Sequence, residues 1–206
     1  SVERHSILDY LASVRTLQGR PDQAVTLADE ALGIAGHVGD PDLTAQATIT
    51  KAWVVSETGD YTGASDLLAA ARRLTDGSVD PVVRARLMLN EAVVLHGLGR
   101  YADAVEASKP ALGADELAGL SRTLGLGLLL VMAPSLIALG RLDEADAVTA
   151  RALTRNPAAA MAVQFHAYRA QLAGLRGDGW AAEHELTSAR LRAGPSPSAP
   201  WELTLL

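Results

Sequence analysis

Five histidines, His5, His37, His96, His166 and His184, are the residues of this sequence best suited to metal binding or proton transfer, and their spacing gives them neither role. No two stand at a ligand spacing such as His-Glu-x-x-His, which puts two imidazoles on one helix face. Glu183-His184-Glu185 is the densest acid-histidine run, but neighbours on a helix point in different directions and cannot converge on one ion; a solvated helical face accounts for it. Gly125-Leu126-Gly127 lacks the preceding strand and third glycine of a dinucleotide fingerprint, and no Gly-Lys-Ser/Thr phosphate loop occurs. Serines and aspartates are plentiful, yet no strand-turn-helix elbow presents a nucleophile. With no cysteine, disulfides and thiolate metal sites are excluded. The expectation is a protein that is not an enzyme, with no catalytic residue, no metal and no cofactor.

Charge narrows the partners. The formal charge of the 206 residues is −6, and no window gathers the Lys/Arg cluster that phosphate neutralisation requires, so direct nucleic-acid or anionic-membrane binding by this segment is not expected. No basic-plus-apolar leader is present, which makes a cytoplasmic setting the default. Leu124 to Leu139 runs sixteen residues without a charge, between a buried helix and the roughly 20 residues of a membrane crossing. Gly125, Gly127 and Pro134 interrupt it and Arg122 and Arg141 flank it, so it reads as a buried helix. Self-association through its apolar surface stays open.

The elements that hold these residues follow from a repeat. Aromatics are only 4% of the chain while alanine and leucine dominate, which favours close-packed helices over sheets. The pattern Gly-[Arg/Asp]-x-x-x-Ala recurs at Gly19/Ala24, Gly59/Ala64, Gly99/Ala104, Gly140/Ala145 and Gly177/Ala182, in steps of 40, 40, 41 and 37 residues. Seven residues before each Gly stands another alanine (Ala12, Ala52, Ala92, Ala133, Ala170), and twelve after it a third (Ala31, Ala71, Ala111, Ala152, Ala189). Helices joined by a tight turn approach closely only where the facing side chains are small. Each Gly ends a first, or A, helix, where a left-handed residue costs least. Asp40-Pro41, Asp80-Pro81 and Asn156-Pro157 supply a capping side chain before a proline at the first helical position. A helices are thus expected over about 3–18, 42–58, 81–98, 115–139 and 158–176, and B helices over about 22–37, 61–75, 101–112, 143–155 and 180–193.

Alanine at the close-contact site of helix A, glycine at the turn, an aromatic two residues later (Tyr61, Tyr101) and two alanines in helix B resemble the tetratricopeptide (TPR) pattern. The resemblance covers residues 3–193 and implies an all-α, right-handed α-α superhelix of about five helix pairs, with repeats at about 3–38, 42–76, 81–113, 115–155 and 158–193 in a domain spanning 1–193. The sequence departs from that pattern in places. The period is nearer 40 than the usual roughly 34; the first-helix Trp is replaced by Leu8, Thr48, Met88, Leu128 and His166, and the turn aromatic by Pro21, Leu142 and Gly179. The longer, alanine-, leucine- and arginine-rich helices look like the repeat arrays of large bacterial LuxR-type ATP-dependent transcription regulators, which implies signal transduction within a longer chain. Residues 194–206 read as a Pro/Ser-rich connector and the start of a further element, with Trp201 to Leu206 opening a sixth repeat or tucking against the last pair. A first residue other than Met and an apolar end without a polar capping helix suggest an array cut from something larger.

In TPR arrays the A helices line a concave groove, and the resemblance carries over positions thirteen, ten, six and three residues before each turn glycine. These are Ser6, Asp9, Ser13 and Thr16; Gln46, Ile49, Trp53 and Ser56; Arg86, Leu89, Val93 and His96; Gly127, Leu130, Pro134 and Ile137; and Gln164, Ala167, Gln171 and Gly174. The ligand-binding candidates among them are Gln46, Ile49, Trp53, Arg86, Leu89, Val93, His96, Leu130, Ile137, Gln164 and Gln171. The groove lacks the Lys/Asn/Arg set with which chaperone-binding members clamp a C-terminal carboxylate. Its apolar centre suits an amphipathic protein segment, including an intramolecular one, or a small ring-bearing inducer stacking on Trp53. Alternatively Trp53 only fills the space between neighbouring A helices. Two functions remain open: the regulatory sensor array of a larger transcription regulator, and a free-standing adaptor for protein-protein interaction.

Overall fold

The computed structural model describes residues 1–75, 80–112, 120 and 123–193; Ala111, of the third alanine column, and residues 194–206 lie outside the described side chains. The described residues are all-α, with ten α-helices in a TPR-like arrangement of adjacent helix pairs. The chain divides into two compact units, residues 1–107 and 108–206.

The first unit contains α1 (Val2–Leu17), α2 (Pro21–Val38), α3 (Pro41–Glu57), α4 (Tyr61–Thr75), α5 (Pro81–Gly97) and most of α6 (Tyr101–Ser108). Helices α1/α2 and α3/α4 pack as pairs, and α2 also packs on α3 and α4 on α5. The small columns explain how closely they approach: Ala12, Ala52, Ala92, Ala24, Ala64, Ala104, Ala31 and Ala71 are all fully buried. Two clusters fill the space between them, Ala12, Ala24, Ala28 and Val54 in one and Ala45, Ile49, Ala52, Ala64, Leu68, Ala71, Val83, Leu87 and Val94 in the other.

Helix ends are set by local chemistry. All five repeat glycines are left-handed, with φ between +65° and +88°. At Gly19 the chain closes a Schellman turn, in which Gly19 N–H donates to Thr16 C=O and Arg20 N–H to Arg15 C=O; Gly99, Gly140 and Gly177 repeat it. Asp40 Oδ1 accepts from the backbone N–H of Asp42 and Leu43, and Asp80 Oδ1 from that of Val82, with Pro41 and Pro81 opening their helices as expected. Asn156-Pro157 does otherwise. Asn156 is left-handed (φ 50°) and ends the preceding helix, while the next begins only at Ala159, because an asparagine that accepts αL geometry serves the C-terminal side of the turn.

The second unit contains a 3-10 turn (Lys109–Leu112), α7 (Leu124–Ala138), α8 (Leu142–Thr154), α9 (Ala159–Leu175) and α10 (Gly179–Ala193). The third B helix therefore tightens after Ser108, where Pro110 cannot donate to an α-helical ladder. Helix α7 spans Leu124–Ala138, the expected start near 115 lying outside the described residues, and runs continuously through Pro134, whose missing N–H leaves Leu130 C=O without its helical donor. Its apolar side chains Leu126, Leu128, Leu129, Met132 and Leu136 are buried, and no helix among the described residues is long and apolar enough to cross a membrane. Ala133, Ala145, Ala152, Ala170 and Ala189 are buried, whereas Ala182 on α10 is only half-buried.

Candidate functional site on the A helices

Within the first unit the A helices α1, α3 and α5 pack in series, and one side chain ties all three. Arg86 of α5 donates from Nη2 to Thr50 Oγ1 of α3 at 2.7 Å, and its Nη1 lies 3.8 Å from Asp9 Oδ2 of α1. The register places it there: Arg86 stands thirteen residues before its turn glycine, Asp9 ten before Gly19 and Thr50 nine before Gly59. A long guanidinium side chain is what lets a single residue span neighbouring helices. The backbone of Arg86 is also engaged, its carbonyl accepting from Asn90 Nδ2 at 2.8 Å. Around this tie Asp9 Oδ1 and both ring nitrogens of His5 are buried without a hydrogen-bond partner.

The other candidates of this unit fall into three environments. Gln46, Trp53, Leu89 and Val93 are half-buried and keep part of their surface exposed. The Trp53 indole N–H donates to Glu57 Oε1 at 3.2 Å, one turn along the same helix. Ile49 belongs to the core: it is fully buried among Ala45, Ala52 and Leu68 and offers no surface to a groove. His96 is half-buried, its ring 5.2 Å from that of Tyr101 and tilted 56°, and burial lowers its pKa below the ordinary 6.5. Beside it, Gly97 gives room for the Tyr61 ring, which lies over the α5 backbone.

In the second unit, Leu130 and Ile137 of α7 and Gln164 of α9 are half-buried, and Gln171 is exposed. Its strongest polar feature is a network across three helices that the sequence reading did not anticipate. His166 Nδ1 lies 2.7 Å from Glu185 Oε2, Arg169 Nε donates to Glu185 Oε1 at 2.8 Å, and Arg169 Nη1 donates to Asp146 Oδ1 at 2.9 Å. Arg176 extends it to Asp143 at 2.6 Å. Burial by itself would raise the Glu185 carboxyl, but the hydrogen bonds from His166 and Arg169 outweigh it and hold the pKa below 4.5. Tyr168 is shifted the other way, upward, by burial. Glu183 and His184 do occupy an exposed face, whereas Glu185 turns inward; the run is not uniformly solvated. No group of three or more His, Asp or Glu side chains among the described residues converges as a metal site.

Thr50 and the Asp9–Arg86 pairing were missed for a simple reason. Asp9 and Arg86 each occupy a groove position, but sequence spacing does not say which positions of non-adjacent repeats touch. Thr48 and Thr50, flanking Ile49 on a helix whose small and apolar positions form the core, were the available signal of a polar requirement on α3.

Paired helices, left-handed turn glycines and buried small columns define a TPR-like helical repeat protein. The tetratricopeptide repeat family model matches residues 3–76, that is, the first two helix pairs, α1 to α4. The chain matches no curated protein.

Proposed function

We propose that this chain is a non-catalytic binding domain that takes a protein segment along the groove formed by its A helices. The observation that carries the reading is the character of that face in the first unit. Half-buried apolar groups (Trp53, Leu89, Val93) stand beside polar ones (Gln46, Asp9, Arg86) on three helices packed in series. Tetratricopeptide repeats generally mediate protein-protein interaction, and the family match covers α1 to α4 of this unit. An amphipathic helix or extended segment would bury its apolar side on the first set and orient by the second.

The setting we favour is the regulatory array of a larger bacterial transcription regulator of the LuxR type, on the strength of repeat length and composition. The net charge of −6 suits a segment that leaves nucleic acid to other domains. A free-standing adaptor would use the same face, and a ring-bearing inducer stacking on Trp53 is the small-molecule alternative.

The test is selection from a displayed random library of 12-residue peptides, followed by titration of the selected peptide into the parent chain and into Trp53→Ala and Val93→Asp. Weakening by at least about 1 kcal/mol in each folded variant supports the face as the binding surface. Parental affinity in both, or no peptide enriched above background, overturns it.

A further inference from the structure

We infer that Asp9 is the receptor for a cationic side chain, an arginine or lysine, of the bound segment, and that Arg86 is the built-in group covering it in the free protein. This rests on the reading of the A-helix face as the binding surface and names the chemistry that face selects.

Carboxylates of similar burial elsewhere in the protein are fully paired, and Asp9 is not. The Glu185 side chain is 14% exposed and meets His166 at 2.7 Å and Arg169 at 2.8 Å. Glu91, 19% exposed, accepts from Arg72 Nε at 2.8 Å. Asp9 is as buried as Glu185, at 14%, yet the only polar partner of its carboxylate among the described residues is Arg86 Nη1 at 3.8 Å, beyond hydrogen-bond reach. Its Oδ1 is sealed from solvent with no partner at all. A carboxylate taken from water without hydrogen bonds is costly, and folded proteins rarely leave one so. Arg86 does not relieve the deficit, because its short bond goes to Thr50 at 2.7 Å.

A donor-rich cation repairs all of this at once. A guanidinium brings five N–H donors and meets a carboxylate in a two-pronged contact, which a neutral amide or an anion cannot do. His5, one turn before Asp9 on the same side of α1, likewise leaves both buried ring nitrogens unpartnered. Arg86 is 24% exposed and held by one hydrogen bond to Thr50, so its guanidinium can turn away from Asp9 while keeping Thr50 when a ligand cation arrives. An anionic ligand gripped by Arg86 would instead stand against the Asp9 charge.

The experiment uses the full chain and three fluorescein-labelled 12-residue Leu/Ala/Gln peptides that differ at one central position: arginine, its uncharged isostere citrulline, or glutamate. Binding is followed by fluorescence anisotropy, with circular dichroism checking that each variant is folded. The arginine peptide is expected to bind the parent at least about tenfold more tightly than the other two. Asp9→Asn removes that preference, and Arg86→Gln, which deletes the internal competitor, strengthens arginine-peptide binding. Equal binding of the three peptides, a preference for glutamate, or an arginine preference that survives Asp9→Asn overturns the subsite while leaving the groove reading intact. Failure of all three peptides while a library-selected peptide binds also overturns the subsite alone, and failure of every peptide overturns both readings.

Discussion

A methyl group at Gly97 would test the packing register of the first unit sharply. A Cβ built there comes 2.5 Å from Tyr61 Cζ and nearer still to Cδ1 and Cε1 of the same ring. Ordinary carbon contacts lie at about 3.5–4.0 Å, so the nearest ring atom must retreat by about 1.5 Å. Tyr61 is partly buried against the cluster of Ile49, Leu68 and Val94, which restricts that retreat. Overpacking of this kind costs about 1–3 kcal/mol, while replacing a helical glycine by alanine returns up to about 1 kcal/mol. The net expectation for Gly97→Ala is a loss of about 1–2 kcal/mol, read as a lower urea midpoint by circular dichroism. In a Tyr61→Ala background the ring that crowds the new methyl is gone and the substitution should be neutral or mildly stabilising, so the cycle yields a coupling of about 1 kcal/mol or more. A Gly97→Ala variant as stable as the parent, or equally destabilised in both backgrounds, would show that Tyr61 does not lie on α5 as described.

Three further substitutions probe other links. Ala145→Leu, at a fully buried position, should cost about 1–3 kcal/mol in melting experiments, whereas Glu106→Ala, exposed on α6, should change little. Asp40→Ala removes a side chain that accepts from two backbone N–H groups at the start of α3 and should cost about 1 kcal/mol, measured by urea titration. Glu185 has a folded-state pKa depressed below 4.5, so its contribution is fully present above that value and is lost as pH falls through the folded pKa. Urea midpoints followed from pH 6 downward should therefore fall less steeply below about pH 4.5 in Glu185→Gln than in the parent; parallel curves would remove Glu185 from the network's energetics.

Much of the fold was legible because the repeat expresses hard local constraints. A left-handed turn demands glycine, a close helix crossing demands alanine, and Asp-Pro satisfies a helix start in two residues, so Gly59, Ala52 and Asp40-Pro41 are readable wherever they fall. Asn156-Pro157 shows the limit of that logic, since asparagine both caps helix starts and tolerates the αL geometry that ends them. The face of each A helix followed from period alone, but depth did not: Ile49 and Trp53 stand one turn apart in the same register, and only packing against Leu68 separates a core residue from a surface one. The polar ties were the least legible part. Arg86 reaches Thr50 and Asp9 across 36 residues of sequence in one case and more in the other, and His166 meets Glu185 across 19. Nothing in composition or spacing ranks such partners, because which long side chains meet depends on how far neighbouring helices rotate against one another.

The most direct test of the central claim is to map a bound peptide onto the chain by amide chemical-shift perturbation, with the backbone resonances assigned and a library-selected peptide added to saturation. The account predicts the largest shifts on the A helices of the first unit, around Asp9, Gln46, Trp53, Arg86 and Val93. Shifts confined to the outward faces of α2 and α4, with those A-helix amides unmoved, would contradict it.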